Sequence, residues 1–249
     1  MKISYHNFQF DITKAKDISI SFHSGFGQVN AFYAPPFRIS PVKEGDFIGS
    51  TKMGGIVNFM NFQCNPHGNG THTECVGHIS KEDFYVNECI KDIYSIAELV
   101  SVYPNFAENG DKIIERHHLE SMCMHLDKVK ALIIRTLSND EEKTSRNYSG
   151  TNPIYIAPDA MEWIVEKNIK HLLVDFPSVD REQDEGKLSC HKIFWDYPKN
   201  PKTDHSITEL IYVPDIIKDG IYLLQHNISN IKLDAVPSRP TLFPLINTN

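Results

Sequence analysis

The chain lacks any run of about 18 consecutive apolar residues, the least that a membrane-crossing helix needs, so no membrane-spanning helix is expected. Its opening residues do not read as a secretory leader. The opening Met1-Lys2-Ile3-Ser4-Tyr5-His6 alternates and is polar, without a charged start, an apolar middle or a small-residue cleavage site. That opening predicts a cytoplasmic protein. Positive charge is in deficit: 25 Lys and Arg against 32 Asp and Glu leave a net charge of −7. A mildly acidic surface repels phosphate backbones, so nucleic acid is not an expected partner. Cysteine is sparse and unpatterned. The five residues, Cys64, Cys75, Cys89, Cys123 and Cys190, are odd in number and show no Cys-x-x-Cys spacing. This argues against a disulfide framework and for reduced thiols. Cys64 and Cys75 flank a histidine cluster and read as small buried thiols rather than metal ligands. There is no internal repeat, low-complexity tract or long linker. A chain of 249 residues with 41% hydrophobic content can bury a core without staples, and one domain over 1–249 is expected.

Hydrophobic patterning gives a mixed picture. Residues 3–10 and 18–22 alternate with period two, as half-buried strands do. Residues 32–55 are the richest in proline and glycine and read as a long irregular stretch, either a functional rim or a plain surface excursion. Ile113, Ile114, Leu119, Met122 and Leu126 are spaced as on a helix face, which predicts a helix over 111–126. Residues 129–134 read as a buried strand. Residues 157–167 read as a helix, with Pro158 and Asp159 suited to its first turn. Residues 171–175 form a second short strand ending in Asp175, and 221–225 and 230–235 read as later strands. Helix-then-strand pairs of this kind predict parallel strands covered by helices, with a more antiparallel sheet from the N-terminal third.

The densest chemistry lies in His67-Gly68-Asn69-Gly70-Thr71-His72-Thr73-Glu74-Cys75-Val76-Gly77-His78. Imidazole and carboxylate together suit borderline divalent ions such as zinc or manganese. His72 and Glu74 are two apart, so an extended strand projects both from one face, and His78 lies a further even number of residues on. A helix would instead splay His72 and Glu74 by roughly 200°. Gly68 and Gly70 argue against helix and let the backbone pass close to a ligand. The competing reading of the same spacing is surface or core histidines.

This segment resembles the signature of the cyclase-type metal-dependent hydrolase family, the group that includes kynurenine formamidases and isatin hydrolases. That signature runs His-x-Gly-Thr-His-x-Asp-x-Pro-x-His, and this chain matches it at Gly70, Thr71, His72 and His78, with Glu74 in the Asp place. The similarity continues along the chain. Asp17-Ile18-Ser19 resembles the family's N-terminal Asp-Leu-Ser. Leu132-Ile133-Ile134-Arg135-Thr136 resembles a central strand ending in Arg-Thr. Residues 157–163 resemble the helix that follows. Asp175, Ser178 and Asp180 match an Asp-x-x-Ser-x-Asp turn, and Asp234-Ala235-Val236-Pro237-Ser238-Arg239 matches a C-terminal Asp-Gly-x-Pro-x-Arg. Three places depart. Gly68 stands where the first histidine belongs and His67 one residue earlier, which a strand bulge would accommodate. Glu74 is one methylene longer than Asp, and Val76 replaces proline.

The resemblance implies a swivelling β/β/α sandwich, an α/β fold with a mixed or parallel central sheet, and a homodimer or larger homo-oligomer. It implies a site for one or two divalent ions, with His72, Glu74, His191, Glu209 and, through its shifted place, His67 as ligands. Glu74 and Glu209 would bridge two ions, and His78 takes the place of the proton-transferring histidine. The implied activity is metal-dependent hydrolysis of a carbon–nitrogen amide bond in a small molecule. A metal-assisted lyase or cyclase, or a binding protein whose site has drifted from catalysis, are the alternatives. Several residues carry a second reading. Glu209 follows Ser206-Ile207-Thr208 and also reads as a helix-start carboxylate. His191 also reads as a core histidine. Asp175 and Asp180 read as turn carboxylates. Arg135 reads as a binder of a substrate carboxylate or as half of an ion pair. His117 and His118 read as a solvated helix face, and Phe22, His23 and Phe26 as pocket lining or ordinary core and loop.

Overall fold

Ala131 to Thr136 are buried on both faces, and that pattern sets the architecture. A strand with apolar side chains up and down needs cover on each side of its sheet. The computed structural model describes residues 1–246 and provides that cover around one nine-stranded mixed sheet; the last three residues of the expected domain lie outside the described residues. We number its strands in chain order: β1 (Lys16–Asp17), β2 (His72–Glu74), β3 (Tyr94–Val102), β4 (Ala131–Thr136), β5 (His171–Val174), β6 (Ser206–Glu209), β7 (Gly220–Gln225), β8 (Ala235–Pro237) and β9 (Thr241–Pro244). The spatial order is β8-β2-β6-β5-β4-β3-β7-β9-β1. β6, β5, β4 and β3 are mutually parallel, and the flanking strands pair antiparallel.

Alternate residues of β4 feed two cores. Leu132 and Ile134 join a cluster with Met161, Ile164, Phe194 and Trp195. Ala131 and Ile133 face the opposite cluster with Ile18, Ile211, Val213 and Leu242. The helical cover on the first face comes from α2 (Arg116–Met122), α3 (Pro158–Glu166) and α4 (Ser189–Trp195). α3 starts on Pro158, with Asp159 in its first turn, and buries Ala160, Met161, Trp163 and Ile164. A four-residue turn, α1 (Pro66–Asn69), precedes β2.

The strands predicted at 129–134, 171–175 and 221–225 and the helix predicted at 157–167 are present within one or two residues. Four expectations need correction. The helix over 111–126 begins only at Arg116, because Lys112–Ile114 forms a short strand that pairs with Tyr155–Ile156. Residues 230–234 are irregular, and the strand starts at Ala235. Residues 18–22 make only an isolated bridge from Ser19 to Ile211. Residues 32–55 are not wholly irregular: Arg38–Pro41 pairs with Met60–Gln63, and Lys43–Glu44 with Phe47–Ile48. No helix among the described residues is long and apolar enough to cross a membrane.

The N-terminal edge of the parallel strands carries a buried histidine pair. His171 and His226 have ring centroids 4.3 Å apart, bonded to Ser206 Oγ at 2.8 Å and Ser95 Oγ at 2.9 Å. Burial, then the nearby charges of His205 and Lys170, pushes His171 down to about 3, and burial and His171 push His226 down also. The unfolded chain takes these protons near pH 6.5 and the folded chain does not. Stability is therefore complete above pH 6.5 and falls as pH drops towards 3. His171 alone is expected to cost about 2 kcal/mol by pH 5. Urea midpoints at pH 7 and pH 5 check this; an unchanged midpoint, or the same drop in His171→Gln, contradicts it.

Candidate metal centre

The parallel strands end on the side where the two expected carboxylates and four histidines meet. Open α/β sheets bind ligands at this carboxyl edge. Glu209 closes β6 and lies opposite His72 in antiparallel β2, with Ile207 opposite Glu74. Thr71 pins the start of β2: its Oγ1 accepts from Ile20 N at 2.7 Å and donates to Leu210 O. Thr73 points the other way, to Thr208 and Ser238, both at 2.8 Å. His72 and Glu74 therefore share the remaining face, as their spacing predicts.

His67 reaches the same place by a different route. It stands on α1, where Pro66 occupies the first turn and Asn69 Oδ1 accepts from Asn65 N at 2.8 Å. A helical turn, not a strand bulge, brings its ring to 5.1 Å from that of His72 and 4.4 Å from that of His78. Position 68 has no room for a histidine: a Cβ there would sit 2.4 Å from Ala34 Cβ and 2.8 Å from Ala31 O. Gly70 lies against the Phe22 ring, which a Cβ would approach to 2.6 Å. His78 also leaves the extended path. Val76–His78 is a 3-10 turn, and Val76 is buried in the main core.

Glu74 is at the centre. Its Oε1 lies 3.2 Å from His191 Nε2, and its Oε2 lies 3.3 Å from His67 Nδ1 and 3.8 Å from His78 Nδ1. His72 Nε2 is 3.4 Å from Glu209 Oε2, out of line for a hydrogen bond. Its Nδ1 lies 3.1 Å from Gly70 O, which leaves Nε2 as the donor atom facing the cluster. Glu209 Oε1 accepts from Val179 N at 3.1 Å, inside a strand, so the helix-start reading of this residue falls. His191 sits in the first turn of α4, fully buried, and Asp180 Oδ2 accepts from its Nδ1 at 2.6 Å.

Two residues beyond the expected set take part. Asp234 Oδ2 lies 3.2 Å from His67 Nε2 and 3.5 Å from His78 Nδ1. Its place follows from β8, which pairs with β2 so that Ala235 faces Glu74. The Asp234 motif was visible in the sequence, but nothing there tied it to the histidines. Asp180, read as a turn carboxylate, also accepts from the backbone amides of Cys190 and His191 and fixes the latter's ring. Asp175 bonds Thr136 N at 2.8 Å and Lys143 Nζ at 2.8 Å, away from the cluster. Arg135 is half of an ion pair with Asp219 at 2.8 Å and spends three more of its five N–H groups on Ser101, Pro214 and Ile217. His117 is exposed, and His118 Nδ1 accepts from Glu115 N in a capping box, as a solvated helix face allows.

The electrostatics ask for a cation. Burial alone would lift the Glu74 carboxyl, but the charge of His78, the hydrogen bond to His191 and the close imidazole of His67 hold it well below the usual range. The His67 bond, then the His78 bond, depresses Asp234. Burial opposes charge on His67 and His191, yet their carboxylate partners push both up to about 10. Without an ion, protonated imidazoles must balance the carboxylates. Two donor atoms, His72 Nε2 and Glu74 Oε2, are buried and make no hydrogen bond, a costly arrangement unless something else occupies them. The donors of His72, Glu74 and Glu209 lie within 4.8 Å of one another, and so do those of His67, Glu74 and His78. Nitrogen and oxygen donors in this number fit a divalent ion. A cavity of about 470 Å³ opens over the cluster, with His67, His78, His191 and Glu209 in its floor and Phe32, Ala34, Pro35 and Leu188 among its walls.

Comparison with known proteins agrees. The profile of the family described as "Putative cyclase" matches residues 16–181. The chain is 26% identical over 197 residues to a kynurenine formamidase of Bacillus thuringiensis (strain Al Hakam), spanning 79% of this chain and 85% of that one. It is 25% identical over 202 residues to a kynurenine formamidase of Bacillus anthracis, spanning 80% and 87%. Among solved structures it shares its fold with a potential metal-dependent hydrolase with cyclase activity, at TM-score 0.65 and 14% identity over 92% of this chain and 97% of that one. Isatin hydrolase A from Labrenzia aggregata superposes at TM-score 0.62, with 12% identity over 92% and 93%. The chain belongs to the Cyclase family.

Proposed function

We propose that this protein is a metal-dependent hydrolase that opens a carbon–nitrogen amide bond in a small molecule, of aryl formamide or cyclic amide type. The observation that carries the reading is the pair of buried donors without hydrogen bonds, His72 Nε2 and Glu74 Oε2, beneath a cavity of single-ring size. His72, Glu74 and Glu209 would hold one zinc or manganese ion. His67 and His191, which stand against the two oxygens of Glu74, would supply donors for a second. A divalent ion held by these residues would supply Lewis-acid polarisation of a carbonyl and a water of lowered pKa, from about 16 towards about 7. Asp180 keeps His191 Nε2 aimed at Glu74, an outer contact of the kind that orients metal ligands. His78 stands at the cavity mouth with Nδ1 facing Asp234, and its Nε2 makes no hydrogen bond among the described residues. It donates the proton that the departing nitrogen needs. The aromatic and proline wall accepts a planar ring.

A lyase on the same scaffold uses the same donors. A drifted binding protein would have no reason to keep six of them converging, so the hydrolase reading is preferred. Metal analysis of protein purified without added metal, followed by a screen of aryl formamides, lactams and simple esters, tests it. No bound divalent ion and no affinity for zinc or manganese sinks it.

We further propose that the whole chain acts as one domain and works as a homo-oligomer in the cytoplasm. The thiols of its five cysteines are free, as a reducing compartment requires. The segment 38–63 exposes the large apolar side chains of Ile39, Ile56, Phe59, Met60 and Phe62, the kind of surface that a second copy of the chain would cover. Light scattering is expected to give a dimer or larger, and the double variant Phe59→Ser, Phe62→Ser to weaken it. A wild-type monomer at micromolar concentration contradicts this.

A further inference from the structure

Arg135 keeps a single N–H, on Nη2, beyond its bonds to Ser101, Pro214, Ile217 and Asp219, whereas another arginine keeps three. Arg181 lines the cavity over the metal centre, one residue beyond Asp180, whose carboxylate holds His191. Its Nε donates to Asp111 Oδ1 at 3.0 Å and Oδ2 at 3.2 Å, and its Nη1 donates once, to Gln183 O at 2.8 Å. Nη2 makes no hydrogen bond among the described residues. One hydrogen on Nη1 and both on Nη2 therefore remain, the fork that grips a carboxylate with two parallel bonds.

The guanidinium is prepared for this. Asp111 is buried and is itself held by Asn152 Nδ2 at 2.8 Å, Tyr155 Oη at 2.9 Å and Asn109 Nδ2 at 3.0 Å. A partner fixed on so many sides cannot swing to follow the arginine, so the arginine is fixed to it. The cavity's acids, by contrast, are already engaged. Glu182 accepts from Gly150 N and Asn152 N, Asp184 from Gly186 N and Leu188 N, and Asp180 from the start of α4. Arg181 is the one arginine or lysine in the cavity lining, and it has donors to spare.

We propose that Arg181 binds a carboxylate on the substrate, so that the site selects amides carrying an anionic group over neutral ones. This rests on the hydrolase reading for the reaction but not for the binding. The substrate's ring lies along Phe32, Pro35 and Leu188, its scissile carbonyl over the Glu74 cluster, and its carboxylate at the Arg181 fork. Arg181 is a specificity residue and takes no part in proton transfer.

Calorimetric titration of the metal-loaded protein with benzoate and with benzamide tests the proposal. The two probes have the same ring and differ in charge. Wild type is expected to bind benzoate at least about tenfold more tightly than benzamide. Arg181→Gln is expected to lose about 10- to 100-fold on benzoate and nothing on benzamide. Arg181→Lys, with the charge but not the fork, falls between. Two results overturn the proposal: wild type with no preference for benzoate, or Arg181→Gln that binds benzoate within twofold of wild type. Hydrolysis is measured separately. Arg181-dependent benzoate binding in a protein that hydrolyses no amide refutes the hydrolase reading and leaves the arginine's role intact. Hydrolysis of neutral formanilide with benzoate binding indifferent to Arg181 does the reverse.

Discussion

His72→Ala is expected to lose the metal and, with it, all measurable turnover. The His72 ring is wholly buried, its Nδ1 is tied to Gly70 O, and its Nε2 faces Glu209 and Glu74 with no other partner. Removing it takes one of three donors from a buried group whose ligand atoms lie within 4.8 Å of one another. Loss of a mere outer contact to a ligand costs about 10- to 100-fold in metal affinity, so loss of a donor is expected to exceed about 100-fold. Thr73→Ala is the control. It sits on the same strand, but its hydroxyl bonds Thr208 and Ser238 on the opposite face. Metal content after dialysis and a competitive titration with a chromogenic chelator give the readout. His72→Ala protein that keeps wild-type stoichiometry and affinity removes this residue from the ligand set.

His78→Ala is expected to keep the metal and lose about 10²- to 10⁴-fold in kcat, the usual worth of a positioned proton donor. The ring is part-exposed at the cavity mouth, whereas those of His72 and His191 are buried. Asp234 lies 3.5 Å from its Nδ1, closer than the 3.8 Å to Glu74, so the ring is oriented from the rim rather than from the centre. The rival assignment is direct: His78, His67 and Glu74 also form a group of donors within 4.8 Å. If His78 is a ligand, its alanine variant loses metal as His72→Ala does. If it retains metal and full turnover, it is neither ligand nor proton donor. Metal content and kcat measured on one preparation separate the three cases.

How far the site could be read from the chain depends on the reach of local geometry. His72 and Glu74 share a face because a strand repeats every two residues, and they keep that relation in the fold. His78 was expected on the same strand and is delivered by a 3-10 turn instead. Even spacing placed it correctly for the wrong reason. His67 looked misplaced because the motif was read as extended throughout. Pro66 begins a helical turn, and position 68, packed against Ala31 and Ala34, accepts only glycine. The one-residue offset is thus a change of backbone path that leaves the imidazole in the cluster. Arg135 and Arg181 show the converse. Both are arginines next to strand ends or turns, and only their neighbours decide that the first is consumed by Asp219 and backbone carbonyls while the second keeps half its fork.

The sequence by itself determined the class of fold, the His72–Glu74 pair, the buried central strand and the helix at 158–166, because each rests on periodicity within one element. The family motifs also named His191 and Glu209. The tertiary structure alone decided that Asp234 and Asp180 stand beside the histidines, that Glu209 faces His72 across two strands, and that a cavity with a free guanidinium edge lies above them. Those facts depend on sheet order, on β8 pairing with β2 and β6 with β2. Such pairings join residues more than a hundred positions apart, and no local pattern records which strand a strand will choose.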